Sequence, residues 1–251
     1  MEWLLSPIDP LRAHEVGLAV SWHGRLMVLG WGVVAPLSVL GARFYKIMPG
    51  QDWPRELDNR TWWHGHLIGA AVIALCTLVG LAIMWSPERK LDHPHVILGY
   101  VLMLVLAAQV LMGVLRGSKG GPTTPAPDGS LRGDHYDMTR RRRLFEAAHK
   151  AGGYVALALG VAVMLLGLWS ANAPVWMWLA LVSWWAALVA AFVALQRRGM
   201  AIDTYQAIWG DDPGHPGNGM PPHGWGMRRP GDDTEGEGNV RRDRGHGLRN
   251  P

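Results

Sequence analysis

The chain has 251 residues, a formal net charge of +4 and a 49% hydrophobic composition. Its apolar residues are concentrated between 17 and 195, whereas the segment after 196 is rich in Gly, Pro, Asp and Arg. Its single cysteine, Cys76, excludes an internal disulfide and also excludes the CxxCH attachment of a covalent c-type haem. The composition therefore predicts a membrane domain followed by a polar segment.

Five apolar segments are each long enough to cross a bilayer, whose core of roughly 30 Å takes about 20 helical residues. They are predicted, in chain order, at about 17–42, 63–85, 95–115, 147–169 and 175–195. A soluble core rarely needs five such runs. Tryptophans lie at or near their ends, which is typical of the aromatic belts of membrane proteins. We therefore predict an all-α integral membrane helix bundle.

The connections between these spans differ in length. The fourth and fifth spans are joined by only a few residues, so they form an antiparallel pair. The third and fourth are joined by a long segment containing GSKGGPTTPAPDGS, which predicts irregular structure. We divide the chain into an N-terminal extracytoplasmic segment (1–16), a membrane domain (17–196) and a disordered cytoplasmic tail (197–251), which is too polar to bury a core. Pro36 is expected to kink the first helix.

Lysine and arginine are distributed unevenly between the two ends of the predicted helices. Five crossings place three basic segments on one side, and these contain Arg43, Lys46, Arg55, Arg60, Arg116, Lys119, Arg132, the run 140–143, Arg197 and Arg198. The opposite side has Arg12, Arg89 and Lys90. Because cytoplasmic loops are enriched in Lys and Arg, we predict an inner (plasma) membrane protein with its N-terminus outside and its C-terminus in the cytoplasm.

A histidine lies near the start of each of the first four helices, and the fifth helix has none. The histidines are His23, the pair His64 and His66, the pair His93 and His95, and His149. Ionisable residues within membrane helices are rare and mark functional sites. The first four helices are therefore predicted to form the core, with the fifth helix peripheral. Since successive helices run in opposite directions, one histidine pair is expected near each face of the membrane.

Only one histidine of each close pair is predicted to face the bundle interior. At about 100° per residue, His66 shares its face with small residues that allow close packing, whereas His64 shares its face with larger aliphatic residues. His93 precedes Pro94, which disfavours helical geometry at position 93 and leaves His95 inside the helix. The expected pairs are thus His23 with His95 outside, and His66 with His149 inside.

Two neutral imidazoles on facing helices suit the two axial positions of a haem iron. Zinc prefers four ligands, whereas each level offers two. We therefore predict two non-covalent haem b groups, with the outer iron bound by His23 and His95 and the inner iron by His66 and His149. A haem with two axial histidines passes electrons and has no open position for a substrate.

The spacing along the helices fits two levels of cofactor. Three glycines each follow the histidine of their own helix by 18 residues, about five turns, and these are Gly41, Gly113 and Gly167. They are predicted to leave space at the level of the opposite histidine pair. The depths of the histidines place the two irons roughly 25 Å apart.

With these residues in place, the sequence resembles the cytochrome b561 family. The resembling stretches are HGRLMVLGWGVVAPLSVLGARFYK, WWHGH, HVILGY and HKAGGY, which together span about residues 20 to 167. The resemblance is closest to the membrane core of the DOMON-linked members, in which a fifth helix follows four core helices. It implies a bacterial-type member without a DOMON domain, and the SLHSW-type signature of ascorbate-dependent ferric reductases is absent from the sequence.

The resemblance implies that the four matched histidines bind two b haems in the same two pairs. It also implies an oxidoreductase that moves electrons across the membrane from a cytoplasmic donor, often ascorbate, to an acceptor on the other side. Arg43 and Lys46 lie where the family has basic residues near the donor site, although simple positive-inside anchors fit the same positions. Arg25, two residues after His23, is a candidate to pair with a haem propionate.

Two other functions stay open from the residues alone. One is a quinol-linked membrane cytochrome subunit of a larger redox complex, and the other is a proton or metal transporter that uses its histidines as relay sites. The expected partners are membrane lipid, a small-molecule or quinol electron donor and an extracytoplasmic acceptor, and they do not include nucleic acid. Whether the chain forms a homodimer is left open.

Overall fold

The computed structural model describes residues 2–14, 16–86 and 92–230, so Arg89 and Lys90 lie outside the described residues. Within these ranges the chain forms helices and no extended strand. The helices are α1 (Glu2–Leu5), α2 (Leu18–Phe44), α3 (Thr61–Ile83), α4 (Pro94–Val114), α5 (Arg140–Ser170), α6 (Val175–Arg197) and α7 (Thr204–Trp209). Five of them, α2 to α6, are long and apolar enough to cross a membrane. This confirms the predicted all-α membrane bundle.

Helix α2 changes its winding in the middle. The stretch Val28–Val34 is π-helical and directly precedes the turn that contains Pro36. Proline lacks the N–H that would bond to the carbonyl four residues earlier, which belongs to Gly32. The indole nitrogen of Trp184 in α6 donates to that Gly32 carbonyl instead, at 2.9 Å. The helix thus changes its type just before Pro36, and α6 is bonded to the bundle at this point.

The centre of the bundle is an apolar core to which α2, α3, α4 and α5 all contribute. Its buried residues are Trp31, Ala35, Ile73, Leu102, Ala156, Val163 and Met164. The Trp31 indole donates to Thr77 Oγ1 at 3.0 Å, and the Thr77 hydroxyl donates to the Ile73 carbonyl at 2.7 Å. A Cβ at Gly160 would lie 3.2 Å from the Trp31 ring, so the glycine lets α5 approach closely.

At one end of the bundle, the N-terminal segment packs on the short link between α5 and α6. The Ile8 N–H donates to the Ala173 carbonyl at 3.2 Å. The Asn172 side-chain amide donates to the carbonyls of Asp9 and Arg12 at 3.0 and 2.7 Å. These bonds hold the N-terminal segment at the end of the bundle that the sequence predicts to be extracytoplasmic.

At the other end, the chain after α6 is folded up to residue 230, which corrects the prediction of a disordered tail. Residues 201–210 are all buried. Tyr205 and Trp209 pack with Tyr136 and His135, which belong to the connection between α4 and α5. The composition was misleading because this segment buries its few aromatic residues against another segment, not within a core of its own. Residues 231–251 of the predicted tail lie outside the described residues.

We call the two segments 116–139 and 199–230 together the cap. The segment before α5 is irregular, as predicted, but α5 itself begins at Arg140, earlier than the expected 147. The Thr139 side chain accepts a hydrogen bond from the Arg142 N–H and so caps the helix. The basic run at 140–143 is therefore the first turn of α5, where Arg142 lies 3.0 Å from Glu146 one turn later.

Candidate cofactor site

The four predicted histidines form two pairs at opposite ends of the bundle. The ring centres of His23 and His95 lie 6.1 Å apart, and those of His66 and His149 lie 6.0 Å apart. Imidazole nitrogens bind first-row metals at about 2.0 Å, so two imidazoles on opposite sides of one metal ion have ring centres about 6 Å apart. The structure thus brings together the residues predicted as pairs, at a separation that fits one iron between each pair.

The neighbouring histidines lie away from these pairs. His64 is exposed. His93 has an extended backbone and is the N-cap of α4, where its Nδ1 accepts a hydrogen bond from the His95 N–H at 3.2 Å. His66, not His64, thus lies beside His149, and His95, not His93, lies beside His23.

Backbone carbonyls orient both outer histidines. The Nδ1 atom of His23 lies 3.0 Å from the Gly80 carbonyl oxygen, and Nδ1 of His95 lies 3.0 Å from the Val163 carbonyl oxygen. A carbonyl can only accept, so the proton of each neutral ring is on Nδ1 and the lone pair is on Nε2. This is the usual arrangement of histidines that bind metals.

The two inner histidines differ in their surroundings. The Nδ1 atom of His66 lies 3.2 Å from the Ser38 hydroxyl oxygen. The His149 ring stacks on Phe145 with ring centres 5.2 Å apart. Its Nδ1 atom is buried and has no hydrogen-bond partner among the described residues. A histidine that binds a metal ion normally has such a partner.

The contacts of the outer histidines also measure the distance between the two levels. Gly80 follows His66 by 14 residues, and Val163 follows His149 by 14 residues. At 1.5 Å per residue the levels lie about 21 Å apart along the helices, closer than the expected 25 Å. The expected value assumed helices of about 40 Å, whereas the 23 residues of α3 span only about 35 Å.

A cavity of about 610 Å³ lies at the inner level, within the range of about 300–1,000 Å³ that is typical of cofactor sites. Its wall includes both inner histidines together with Trp31, Trp63 and Phe145. The wall is therefore mainly aromatic and apolar around the two imidazoles, as a porphyrin ring requires.

Two of the three predicted glycines lie at the expected levels. Gly113 lines the inner cavity, and a Cβ there would meet nothing within 4 Å. A Cβ at Gly167 would lie 3.0 Å from the His95 ring. Gly41 instead faces a surface groove with Trp184 of α6, so that part of the prediction was wrong. The 18-residue spacing assumed regular turns, and the π-helical stretch of α2 changes which face Gly41 occupies.

Arg43 and Lys46 both line the inner cavity, and both are buried. Arg43 donates to Tyr154 Oη at 2.9 Å, to Gln196 Oε1 at 2.8 Å and to the Trp225 carbonyl at 2.8 Å. Lys46 Nζ donates to the Ile202 carbonyl at 2.8 Å. Burial, followed by the nearby charge of Lys150, lowers the pKa of Lys46 to about 7. The cap therefore supplies acceptors for both residues.

Arg25, the third basic residue predicted at the site, lies elsewhere. It is exposed, and its guanidinium lies 5.1 Å from the centre of the Trp22 ring. This contact covers an aromatic residue at the end of the bundle where His23 lies. Pairing of Arg25 with a haem propionate stays a prediction.

Arg60 and Arg116 also line the inner cavity, and in the sequence they indicated only the orientation of the helices. The Arg116 guanidinium lies 4.1 Å from the centre of the Trp63 ring. Burial, and then the charges of Arg142 and Arg60, lower the pKa of Arg116. Within residues 2–14, 16–86 and 92–230, neither Arg60 nor Arg116 forms an ion pair with a carboxylate. Among these residues, the positive charges of Arg60 and Arg116 at the cavity thus have no carboxylate partner.

A buried group of ionisable residues joins the cap to α5. His135 is 2% exposed, and its Nε2 atom lies 3.2 Å from Glu146 Oε1. Glu146 also lies 3.0 Å from Arg142 and 2.8 Å from Lys150. Burial lowers the pKa of His135 to about 4, so its ring is neutral at physiological pH. No local sequence pattern indicated this group, because the two segments are brought together only by folding.

Two curated proteins are similar to the chain. One is a protein of Xenopus laevis named as a ferric-chelate reductase, 26% identical over 158 residues, which is 60% of this chain and 23% of that protein. The other is a cytochrome b561, DM13 and DOMON domain-containing protein of Arabidopsis thaliana, 26% identical over 146 residues, which is 58% of this chain and 14% of that protein. Together they support a cytochrome b561-type family.

No family model matches the chain, and no solved structure matches it at a significant level. The matched region spans less than a quarter of either relative. The five spanning helices and the two relatives agree that the chain is a multi-pass membrane protein.

Proposed function

We propose that the protein is a di-haem b-type cytochrome that transfers electrons across the membrane, from a cytoplasmic reductant to an extracytoplasmic acceptor. The observation that carries this proposal is the presence of two histidine pairs at opposite ends of one bundle, with ring centres 6.1 and 6.0 Å apart. A single-haem cofactor site would need only one such level. The names of the two similar proteins support the same class of function.

When bound, each haem would supply a one-electron couple whose potential depends on its axial ligands and their hydrogen bonds. The chain's own residues bind, orient and insulate the two groups. The carbonyls of Gly80 and Val163 fix the rings of His23 and His95. The apolar core around Trp31 fills the space between the levels and excludes water from it.

Among the described residues, four basic side chains of the inner cavity form no ion pair, and they divide into two groups by their hydrogen bonds. Arg60 and Arg116 have unmatched charge, and we assign them to the propionates of the inner haem. The hydrogen bonds of Arg43 and Lys46 go largely to carbonyl and side-chain oxygens. We assign these two residues to the approach of an anionic donor, which would compete with the carbonyls of the cap. Arg25 is assigned to the outer haem.

Electron flux through sealed vesicles tests this function. The purified protein is reconstituted with ferricyanide trapped inside, and a membrane-impermeant reductant is added outside. We expect the haems to be reduced and the trapped ferricyanide to be consumed, and the His66→Ala variant to lose the flux. If both haems are reduced while ferricyanide persists in correctly oriented vesicles, transmembrane transfer is refuted. Oxidation of added quinol in that case indicates the quinol-linked subunit.

A further inference from the structure

The two helix pairs α2–α3 and α4–α5 follow the same plan. In each pair the first helix carries an outer histidine and the second an inner one. In both pairs, the backbone carbonyl 14 residues after the inner histidine accepts a hydrogen bond from the outer histidine of the same pair. Gly80 accepts from His23, and Val163 accepts from His95. Equivalent positions in the two pairs can therefore be compared.

Ser38 of α2 shows how an inner histidine is oriented. It follows His23 by 15 residues, and its hydroxyl lies 3.2 Å from His66 Nδ1. Its side chain packs against Gly69, three residues after His66, where a Cβ would lie 2.7 Å from the Ser38 oxygen. The glycine thus provides the space that lets the hydroxyl reach the imidazole.

Gln109 of α4 occupies the equivalent position in the second pair. It follows His95 by 14 residues and lines the inner cavity. Its side-chain amide packs against Gly152, three residues after His149, where any Cβ would clash with the amide nitrogen. Among the described residues, the Gln109 amide has no hydrogen-bond partner, and His149 Nδ1 is buried without one.

We propose that Gln109 is a positioning residue for the inner haem, and that its Oε1 atom accepts a hydrogen bond from His149 Nδ1 when the iron is bound at Nε2. This rests on the proposed function only in requiring a haem between His66 and His149. The glutamine amide presents an acceptor on one side and donors on the other, so turning the amide directs oxygen to the ring. The glutamine side chain is also longer than that of Ser38, which extends its reach.

The midpoint potential of the inner haem tests this role in the purified protein. A hydrogen bond from Nδ1 makes the imidazole a stronger donor and stabilises ferric iron. We expect Gln109→Leu to raise the potential by about 59 mV, which is a tenfold change in the equilibrium constant of a one-electron couple. The Gln109→Glu variant should keep or lower the potential, because a carboxyl group still accepts and a carboxylate accepts more strongly.

Two other variants serve as controls. Ser38→Ala should raise the same potential, because it removes the equivalent partner of His66. Leu104→Ala, at a 71% exposed position on α4, should leave the potential unchanged. The outer haem should keep its own potential in all four variants, and its signal is removed for assignment in a His23→Ala background.

An unchanged potential in Gln109→Leu overturns the assignment, and so does a rise of similar size in Gln109→Glu, because packing alone does not distinguish leucine from glutamate. Low-temperature electron paramagnetic resonance adds a second measurement, since a weaker imidazole donor changes the g values of a low-spin ferric haem. These experiments do not measure electron flux. If the potential shifts in Gln109→Leu but the wild type shows no flux in vesicles, transmembrane transfer is refuted and the role of Gln109 is kept. If the wild type lacks the inner haem, the cofactor itself is refuted.

Discussion

The Nδ1 atom of His23 lies 3.0 Å from the carbonyl oxygen of Gly80, on the helix that presents His66 at the other end of the bundle. Helix α3 thus presents a histidine at one level and orients a histidine at the other. Helix α5 does the same with His149 and the carbonyl of Val163. Because each of these helices contacts both levels, a shift of either helix along its axis changes the geometry of both histidine pairs.

Haem content should respond separately to the two histidine pairs. His23→Ala or His95→Ala should leave one haem per chain by removing the outer one, and His66→Ala or His149→Ala should remove the inner one. The pyridine haemochrome assay after acid–organic extraction measures this, and all haem should be extractable. The matched controls His64→Ala and His93→Ala should keep two haems. Loss of a haem in His64→Ala, with both kept in His66→Ala, contradicts the assigned pairs.

Replacing Arg116 should make the inner haem harder to reduce. The reduced group carries one more negative charge, which a nearby cation stabilises, so Arg116→Gln should lower the inner midpoint potential by several tens of millivolts, of the order of a tenfold change in the reduction equilibrium. Arg116→Lys keeps the positive charge, so its midpoint potential should lie close to that of the wild type.

The exposed Arg55, whose partner is Asp52 at 3.2 Å, provides the control Arg55→Gln, which should have no effect. Kinetics with two reductants identify the anion that Arg116 binds. If Arg116→Gln slows reduction by ascorbate, but not by an uncharged quinol, while leaving the haem potential unchanged, that result shows that Arg116 binds the donor and not a propionate.

Acid should destabilise the cap through His135. Its pKa is near 6.5 when exposed and about 4 in the folded protein, where it faces Glu146, Arg142 and Asp203. Between these values the unfolded chain binds more protons than the folded one, so stability falls as pH falls from 6.5 to 4. The full effect is roughly 3 kcal/mol.

His135→Gln cannot titrate and should therefore flatten the pH dependence of the thermal midpoint in this window. The measurement is thermal unfolding of the protein in detergent at closely spaced pH values. His64→Gln, at an exposed site, should retain the wild-type slope. An equal slope in His135→Gln and the wild type shows that other groups cause the acid sensitivity.

The cap should depend on Tyr205, which is 1% exposed and contacts the rings of His135, Tyr136 and Trp209. Tyr205→Ala removes a large buried side chain, a change that typically costs about 3–5 kcal/mol. We expect rapid proteolytic cleavage within 199–230, with the membrane helices left intact. Trp225→Ala is the control, because this aromatic residue is 75% exposed. Equal cleavage rates in both variants exclude a packed cap in solution.

Much of this architecture follows from local sequence patterns. Apolar length predicted the five spanning helices, helix periodicity selected His66 over His64, and Pro94 placed His93 outside α4. These predictions depend on one helix at a time. The cap, the Glu146–His135 contact and the Arg60–Arg116 pair depend on how distant segments meet, so no single stretch of sequence indicates them. Gly41 shows a third case, in which a regular spacing rule fails because its helix is not regular.

The π-helical stretch Val28–Val34 has a consequence for the relation between the two halves of the bundle. A π turn closes its hydrogen bond over five residues where an α turn uses four, so it holds one more residue. Ser38 follows His23 by 15 residues, whereas Gln109 follows His95 by 14. The π-helical stretch thus accommodates one extra residue in α2 before Ser38. The Ser38 hydroxyl still lies 3.2 Å from His66 Nδ1. The stretch therefore lies where the spacing between histidine and polar side chain in α2 exceeds that in α4 by a single residue.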